Sequence, residues 1–248
     1  MAFRKFLSSL GINAPSVETV VENPAVRPGE QLHCTVTVRG GGADVEVERL
    51  RLELVVRAED READGSTAWA NPYTVVEAGL GAFVLPAGGT VTHRIALDVP
   101  WEMPLTHARG GRIKGGRAAV RTELSIDNSV DKGDFDEIEV HALPAQDTLH
   151  QALADLGFRL HEAEVKVGAW PARLQDRRVA PYWQETDFFF PESAGRGRFE
   201  LEAVFVARQD AVDLHPGGYP PATFAYADMD LAKWTAALDA HIRSYWAG

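Results

Sequence analysis

The fold is decided by residues 26–39, which read VRPGEQLHCTVTVR. The proline and glycine near the start of this stretch predict a turn, because proline fixes φ and glycine permits positive φ. After the turn, apolar side chains at Leu32, Cys34, Val36 and Val38 alternate with polar ones. A period of two is typical of a strand with one buried face. We therefore predict a strand here, with Cys34 as a core residue and not a nucleophile.

The same alternation recurs from residue 17 to residue 140, in short segments separated by turn sequences. Within one segment, Val45 and Val47 share a phase, whereas Leu50 and Leu52 occupy the opposite phase. A β-bulge produces a one-residue slip of that kind. Short strands at this spacing, with no helices between them, predict an antiparallel β-sandwich.

A change of period marks the end of this region. Leu149, Leu153 and Leu156 recur at helical spacing, with Asp147 placed to cap the helix and Gly157 placed to end it. We interpret this helix as a short connector between two domains.

Strand patterns resume after the connector, over residues 158–167, 186–190 and 199–208. An amphipathic helix is then expected to begin at Asp230. The chain is predicted to be all-β, with two tandem antiparallel β-sandwich domains, a short connector helix and a C-terminal amphipathic helix. The predicted boundaries are residues 1–142 for the first sandwich, 143–157 for the connector, and 158–248 for a reduced second sandwich with its terminal helix.

The composition argues against several classes of function. The 248 residues include 25 Lys and Arg but 36 Asp and Glu, which gives a net charge of −11. This acid excess argues against nucleic-acid binding, which needs clustered cations, and against attraction to an anionic membrane. A single cysteine, Cys34, excludes an intramolecular disulfide and a four-cysteine zinc site. No apolar run approaches the ~18–20 residues of a transmembrane span, so we expect a cytoplasmic protein.

Residues 3–10 form a separate amphipathic pattern, with Phe3, Phe6, Leu7 and Leu10 at helical spacing. The apolar stretch is too short and too interrupted for the core of a signal peptide. We expect a short helix that caps an open end of a sandwich. Weak membrane contact by residues 3–10 is the alternative, because basic amphipathic helices can lie at an interface.

The sequence lacks the usual signatures of an enzyme. The glycine-rich stretch at residues 110–116 contains Lys114 but not the Gly-Lys-Ser/Thr ending of a phosphate-binding loop. The sequence as a whole also contains no Gly-x-Ser-x-Gly motif, which places the nucleophile in many hydrolases. The eight histidines are scattered, with no His-Glu-x-x-His and no pair at ligand spacing, so His93 is expected in the core or at a sheet end. We predict no catalytic residues, no cofactor and no metal site.

Charged residues concentrate in two adjacent stretches. Asp127, Asp131, Asp134 and Asp136 offer the oxygen ligands that calcium prefers. A basic loop lies just upstream, and opposite charges that are adjacent in a hairpin can pair across strands. We favour an internal ion-pair network over calcium. The cations of the basic loop are Arg109, Arg112, Lys114, Arg117 and Arg121.

Two further interpretations of these charges stay open. Arginine binds carboxylates and phosphates in a bidentate manner, so the basic loop could contact an acidic or phosphorylated protein segment. Alternatively, the chain could be a small-ligand or calcium-binding protein, or an unrecognised hydrolase, that uses the acidic loop at residues 127–139 as its site.

Aromatic residues concentrate around Trp170, Tyr182 and Trp183. Large rings bury well, so we expect them in the second core and at the domain junction. The alternative is an aromatic contact surface, because Trp and Tyr dominate interface hot spots.

Several motifs, taken in order, resemble those of the bacterial sporulation-control protein M (stage-zero sporulation protein M) family. The resemblance covers nearly the whole chain, which makes it more specific than any one motif. The motifs are VRPGE at 26–30, PWEMPLT at 100–106, VRTELSI at 120–126, IEV at 138–140, LGFRL at 156–160, WQE at 183–185, FFP at 189–191 and RGRFELE at 196–202.

This resemblance implies an arrestin-like fold of two β-sandwiches and a role in regulating spore formation through contacts with cell-cycle or cytoskeletal proteins. It attaches no enzymatic activity to the chain. Arrestin-type proteins can use a buried polar cluster as a latch between domains, which implies such a role for Arg121 with Asp131 or Asp134. We therefore expect a non-enzymatic regulatory scaffold in sporulation, developmental or cell-division control that acts through sheet edges and an interdomain groove.

Overall fold

The computed structural model describes residues 15–59, 72–126, 129–168, 180–196, 199–217 and 220–246. Sixteen strands and two α-helices are assigned within these ranges. In chain order they are β1 (Ser16–Val21), β2 (Ala25–Val26), β3 (Gln31–Arg39), β4 (Val45–Val56), β5 (Tyr73–Leu80), β6 (Phe83–Leu85), β7 (Thr90–Asp98), β8 (His107–Ala108), β9 (Gly111–Arg112), β10 (Ala118–Ile126), β11 (Ser129–Val140), α1 (Pro144–Asp155), β12 (Arg159–Val167), β13 (Tyr182–Phe189), β14 (Glu200–Ala207), β15 (Ala211–Pro216), β16 (Ala222–Ala225) and α2 (Leu231–Trp246).

The described part of residues 15–142, called the N-terminal unit below, contains two sheets that enclose one core and a separate two-stranded sheet of β8 and β9. One sheet has the strand order β1-β3-β7, and the other has the order β2-β11-β10-β4-β5, with β6 also paired to β4. Leu32 and Cys34 from the first sheet share an apolar cluster with Leu52 and Val120 from the second. The alternation in residues 26–39 thus marks the buried face of β3, and the sandwich predicted from it is confirmed.

The predicted β-bulge is confirmed in β4. Ser125 of β10 lies opposite Arg49, but the next residue, Ile126, lies opposite Val47. Glu48 is therefore the extra residue. The bulge lets both Val47 and Leu50 reach the core, and both side chains are fully buried.

The C-terminal unit, residues 143–246, contains one sheet among its described residues. This antiparallel sheet has the order β12-β13-β14-β15-β16. Leu149 and Leu153 of α1, together with Trp234 and Leu238 of α2, share an apolar cluster with Phe188 of the sheet. In the part that the structure describes, the predicted second sandwich is thus one sheet packed against two helices. Helix α1 contributes to this core and also connects the two units. The domain boundaries themselves stay a prediction.

The start of α1 differs from the sequence-based expectation. The helix begins at Pro144, and Gln146 Oε1 accepts the N–H of Leu143 at 3.0 Å. Asp147 therefore lies inside the first turn and not at the cap, and its Oδ1 accepts the N–H of Arg109 at 2.6 Å. Proline suits this first helical position because a backbone N–H there would have no acceptor within the helix.

Helix α2 follows the prediction. Asp230 Oδ1 accepts the N–H of Lys233 at 2.9 Å, as an N-cap side chain does. Trp234, Leu238 and Ile242 point into the core and are buried. The helix therefore covers part of the C-terminal sheet.

The acidic segment predicted to be a loop is mostly a strand. Residues from Ser129 to Val140 form β11, which pairs with β10 along its length. Asp127 lies outside the described residues, as do the side chains of Asp131 and Asp134. Polar residues misled the prediction because one face of this strand is exposed towards its end, as Glu137 and Glu139 show.

Neither described helix is long and apolar enough to cross a membrane. Residues 3–10, for which a capping helix or weak membrane contact was predicted, lie outside the described part of the chain.

Candidate interaction site at the junction of the two units

Backbone hydrogen bonds join the two units along one side of strand β12. The N–H of Ala163 donates to the carbonyl of Lys114 at 2.9 Å, and the N–H of Glu59 donates to the carbonyl of Val165 at 2.9 Å. Ala163 and Val165 also share the apolar cluster of the N-terminal unit. We call this contact the seam.

Gly115 makes the close approach at the seam possible. Its φ of +86° lies in the left-handed region, and a Cβ atom there would collide with the carbonyl oxygen of Ala163. Only glycine satisfies both conditions without strain. The glycine-rich stretch at residues 110–116, which lacks the ending of a phosphate-binding loop, thus contributes a packing contact between the units.

Ion pairs reinforce the seam. The ammonium group of Lys166 donates to Glu59 of the other unit and, at 2.7 Å, to Glu164. Burial lowers the pKa of Lys166, but the bonds to Glu164 and Glu59 outweigh burial, so that the pKa lies above its usual value. Lys114 pairs with Glu162 across the same seam at 2.8 Å. Lysine–glutamate pairs therefore link the units.

Gln184 adds a neutral link. Its Oε1 accepts the N–H of Leu105 at 2.8 Å, and its Nε2 donates to the carbonyl of the same residue at 2.8 Å. Nearby, the carboxylate of Glu102 accepts the N–H of Ala180 at 3.3 Å. Three hydrogen bonds thus hold strand β13 and the residues just before it against the segment that follows β7.

An apolar groove of about 520 Å³ lies beside these links, with walls from both units. The indole of Trp101 forms part of one wall and is 37% exposed. Pro181 and Tyr182 contribute from the other unit, with Arg208 and Gln209 at its margin. We call this feature the junction groove.

The basic loop forms ion pairs, but with partners that the sequence analysis did not name. Arg117 bonds the carboxylate of Glu137, and Arg112 lies 3.9 Å from the same carboxylate. The backbone of Arg109 is held by Asp147. An internal network is therefore present, and two of its members reach the C-terminal unit: Lys114 pairs with Glu162, and the backbone of Arg109 bonds Asp147.

Arg121 bonds a different carboxylate from those predicted for an interdomain latch. Both Nε and Nη2 lie 2.5 Å from Oε2 of Glu53, on the neighbouring strand β4 of the same unit. Burial raises the pKa of Glu53, but the Arg121 guanidinium outweighs it and holds the pKa below its usual value. The side chains of Asp131 and Asp134 lie outside the described part, so their share in a latch stays a prediction.

The predicted aromatic contact surface is not exposed where the structure describes it. Tyr182 is 3% exposed and Trp183 is 6% exposed, so both belong to the interior. The indole N–H of Trp183 donates to Glu185 at 2.7 Å. Trp170 lies outside the described residues. Among the described residues of the junction groove, the exposed indole is that of Trp101, which entered the sequence analysis only as part of the motif at 100–106.

Two histidines that are far apart in sequence meet beside α1. His107 of β8 and His141, just after β11, form a parallel bridge, and their rings stack with centroids 4.8 Å apart. Glu139 lies close to both. Burial lowers the pKa of His107, and the nearby His141 and Arg112 lower it further against the opposing charge of Glu139. The expectation that no histidines would be grouped was wrong here.

A perturbed carboxyl group lies on the C-terminal sheet. Burial, together with the negative charges of the neighbouring Glu200 and Glu202, raises the pKa of Asp187 to about 7. Its Oδ1 is buried and accepts no hydrogen bond from the described residues. We find no nucleophile or metal ligand set assembled around it in that part of the chain.

Comparisons with known proteins agree across most of the chain. A family model described as SpoOM protein matches residues 3–215. The sporulation-control protein Spo0M of Bacillus subtilis strain 168 is 31% identical over 216 residues, which are 86% of this chain and 78% of that protein. The crystal structure of Spo0M from B. subtilis matches with a TM-score of 0.76 at 24% identity, covering 94% of this chain and 100% of that one. A β-glucosidase from Listeria innocua reaches a TM-score of only 0.32 at 17% identity, over 52% of this chain and 16% of that one, which carries no functional argument.

Proposed function

The chain belongs to the SpoOM family of sporulation-control proteins, and from that premise we propose that it acts without catalysis, by binding another protein in the junction groove. The partners that we expect are cell-cycle or cytoskeletal proteins in the cytoplasm. The single observation that carries the proposal is an exposed indole, Trp101, beside an apolar groove with walls from both units.

The groove suits a protein segment with an apolar side chain as its anchor. Interface hot spots are enriched in Trp, Tyr and Arg, and they lie in pockets that exclude water. Trp101 supplies exposed aromatic surface, and Pro181 and the largely buried Tyr182 line the wall from the other unit. Burying apolar surface contributes about 25 cal/mol per Å², so a groove of this kind can anchor a partner.

The polar groups of the groove favour a protein over a small polar ligand. Small-molecule sites place a few convergent polar groups that orient the ligand. Here Arg208 is bonded to Asp213, and Glu102 accepts a backbone N–H from Ala180. These groups are engaged within the fold and are not aimed together at a ligand.

The units are joined firmly enough to present one surface. Two backbone hydrogen bonds, the Lys166–Glu59 ion pair and the Lys114–Glu162 ion pair span the seam. A groove with walls from two units keeps its shape only if the units hold their relative position. The seam therefore supports recognition by a preformed groove, which costs less ordering on binding.

The proposal is tested by affinity capture from the native cell, followed by calorimetry with each purified captured protein. Trp101→Ala removes the exposed indole, and Phe199→Ala is the matched control because Phe199 is 75% exposed and lies outside the groove. Loss of a hot-spot side chain weakens binding by about thirtyfold or more. We expect that loss for Trp101→Ala and unchanged affinity for Phe199→Ala. Equal affinity of both variants for the partner would contradict the proposal, and so would turnover of a substrate by the wild-type chain.

A further inference from the structure

The cluster of His107, Glu139 and His141 has the donor set of a transition-metal site. One ligand atom from each of the three side chains lies within 4.8 Å of the other two. We propose that these residues bind a divalent transition metal, of which Zn²⁺ is the best match. The site is separate from the junction groove, so its test does not depend on the proposed function.

The fold places the three side chains on one surface. Glu139 and His141 are two residues apart on the same strand phase, and side chains with that spacing point to the same face. His107 is brought beside them by its parallel bridge to His141. Backbone bonds fix the arrangement, since the N–H of Ala142 donates to the carbonyl of His107 at 2.9 Å.

The contacts of Thr106 are compatible with a His107 tautomer that suits metal binding. Its Oγ1 lies 2.8 Å from Nδ1 of His107 and accepts the N–H of Val140 at 2.8 Å. The hydroxyl also lies 3.4 Å from the carbonyl of Val140, to which it can donate its one proton. All three bonds are satisfied when Nδ1–H of His107 donates to Thr106.

That tautomer leaves Nε2 of His107 with a free lone pair. Nε2 lies 4.0 Å from Oε1 of Glu139, which is too long for a hydrogen bond. A metal-ligating histidine typically donates its other ring N–H to a neighbouring oxygen in this manner. Thr106 therefore acts as a positioning residue for the proposed ligand atom.

The chemistry of the donors selects the class of metal. Two imidazoles and one carboxylate suit Zn²⁺ and its neighbours, whereas Ca²⁺ and Mg²⁺ prefer oxygen donors alone. Zinc bound by three protein groups keeps a fourth position for water or an added ligand. Tetrahedral zinc with bonds of about 2.0–2.1 Å needs donor atoms about 3.3 Å apart. Rotation of the exposed Glu139 side chain and the half-buried His141 ring can bring the atoms to that spacing.

A bound metal would connect β8 to the end of β11, directly before α1 begins at Pro144. It would thus fix the segment that leads from the N-terminal unit into the C-terminal unit. The open coordination position also faces solvent, because Glu139 is exposed.

The test is calorimetric titration of untagged full-length chain with Zn²⁺, supported by the visible absorption of Co²⁺ in the same site. We expect one ion per chain and a tetrahedral cobalt spectrum. His141→Ala and Glu139→Gln should each weaken binding by more than about tenfold. His33→Ala is the matched control, because His33 is an exposed histidine on a different sheet and should leave binding unchanged.

A second variant tests the positioning role. Thr106→Val removes the hydroxyl with little change in volume, and loss of such an outer partner lowers metal affinity by about 10–100-fold. Thermal melting without metal shows whether the variant is folded. The inference is overturned if the wild-type chain takes up no Zn²⁺ saturably, or if His141→Ala and His33→Ala bind it equally well. Such a failure leaves the proposed groove function unaffected.

Discussion

The indole of Trp101 packs directly on the backbone of Gly29, so closely that a Cβ atom on Gly29 would lie 2.6 Å from its Cη2 atom. The N–H of Gly29 also donates to the carbonyl of Val99 at 2.9 Å. Two motifs that are distant in sequence, residues 26–30 and 100–106, therefore form one structural element. The turn that precedes β3 therefore also supports the exposed indole of Trp101 in the junction groove.

Gly29→Ala should disturb both stability and the groove. The φ of +85° is strained for any residue with a Cβ, at a cost of about 1–2 kcal/mol, and the new methyl group must displace the indole. We expect a lower free energy of unfolding in urea and a shift in tryptophan fluorescence. Gly88→Ala is the control, since Gly88 has a φ of +64° but no atom within 4 Å of the added Cβ. If both substitutions lowered the free energy of unfolding equally, the contact with Trp101 would add nothing to the cost of backbone strain.

Gly115→Ala should open the seam between the units. The added methyl group collides with the carbonyl of Ala163, so the backbone bond from Ala163 to Lys114 should lengthen or break. We expect faster hydrogen exchange at the Ala163 and Glu59 amides. Gly110→Ala carries a similar positive φ with no neighbouring atom, and it should leave exchange at those amides unchanged. Unchanged protection at the seam in Gly115→Ala would argue against tight packing there.

Breaking the buried pair of Arg121 and Glu53 should cost far more than replacing both members. Arg121→Met leaves a buried carboxylate without its main partner, and such losses cost about 3–5 kcal/mol. The double variant Glu53→Leu with Arg121→Met should lose less than the sum of the single variants. Urea unfolding of the four proteins gives the coupling energy. Strictly additive changes would contradict a direct pair.

Asp187→Asn should stabilise the fold at pH 8 more than at pH 5. The pKa of Asp187 is raised in the folded chain to about 7, above its value of about 3.9 in an unfolded chain. Between these values the unfolded state binds fewer protons, so this carboxyl makes the wild type less stable as pH rises. Asparagine stays neutral at every pH, so the variant does not lose stability in this way as the pH rises. The check is thermal melting of both proteins from pH 5 to pH 8, where a constant difference would contradict the shift.

Local patterns in the sequence predicted the elements that depend on neighbouring residues. The alternation from Leu32 to Val38 identified a buried face, and the phase slip between Val47 and Leu50 predicted the bulge that the structure places at Glu48. The cap at Asp230 needed only a short polar residue before an apolar helix. Each of these signals lies within a few residues of the feature that it predicts.

Features set by the tertiary arrangement escaped the sequence analysis. His107 and His141 meet only because a parallel bridge joins segments that are far apart in sequence. The spacing of the histidines along the chain gives no sign of that contact. Arg121 bonds Glu53 because β10 lies beside β4 in the sheet, and the two residues are far apart in sequence. One local signal was available but overlooked, since Pro144 marks the first turn of α1 better than Asp147 does.

The most direct test of binding in the junction groove is site-specific photocrosslinking in the native cell. Gln209 is exposed at the margin of the groove, so benzoylphenylalanine can replace it without removing an anchor. The same crosslinker at Phe199 is the control. If a partner binds in the junction groove, position 209 gives a discrete covalent protein adduct that disappears when Trp101→Ala is added, and position 199 gives none. No protein adduct at 209, or one that persists in the Trp101→Ala background, would show that the groove is not the binding site.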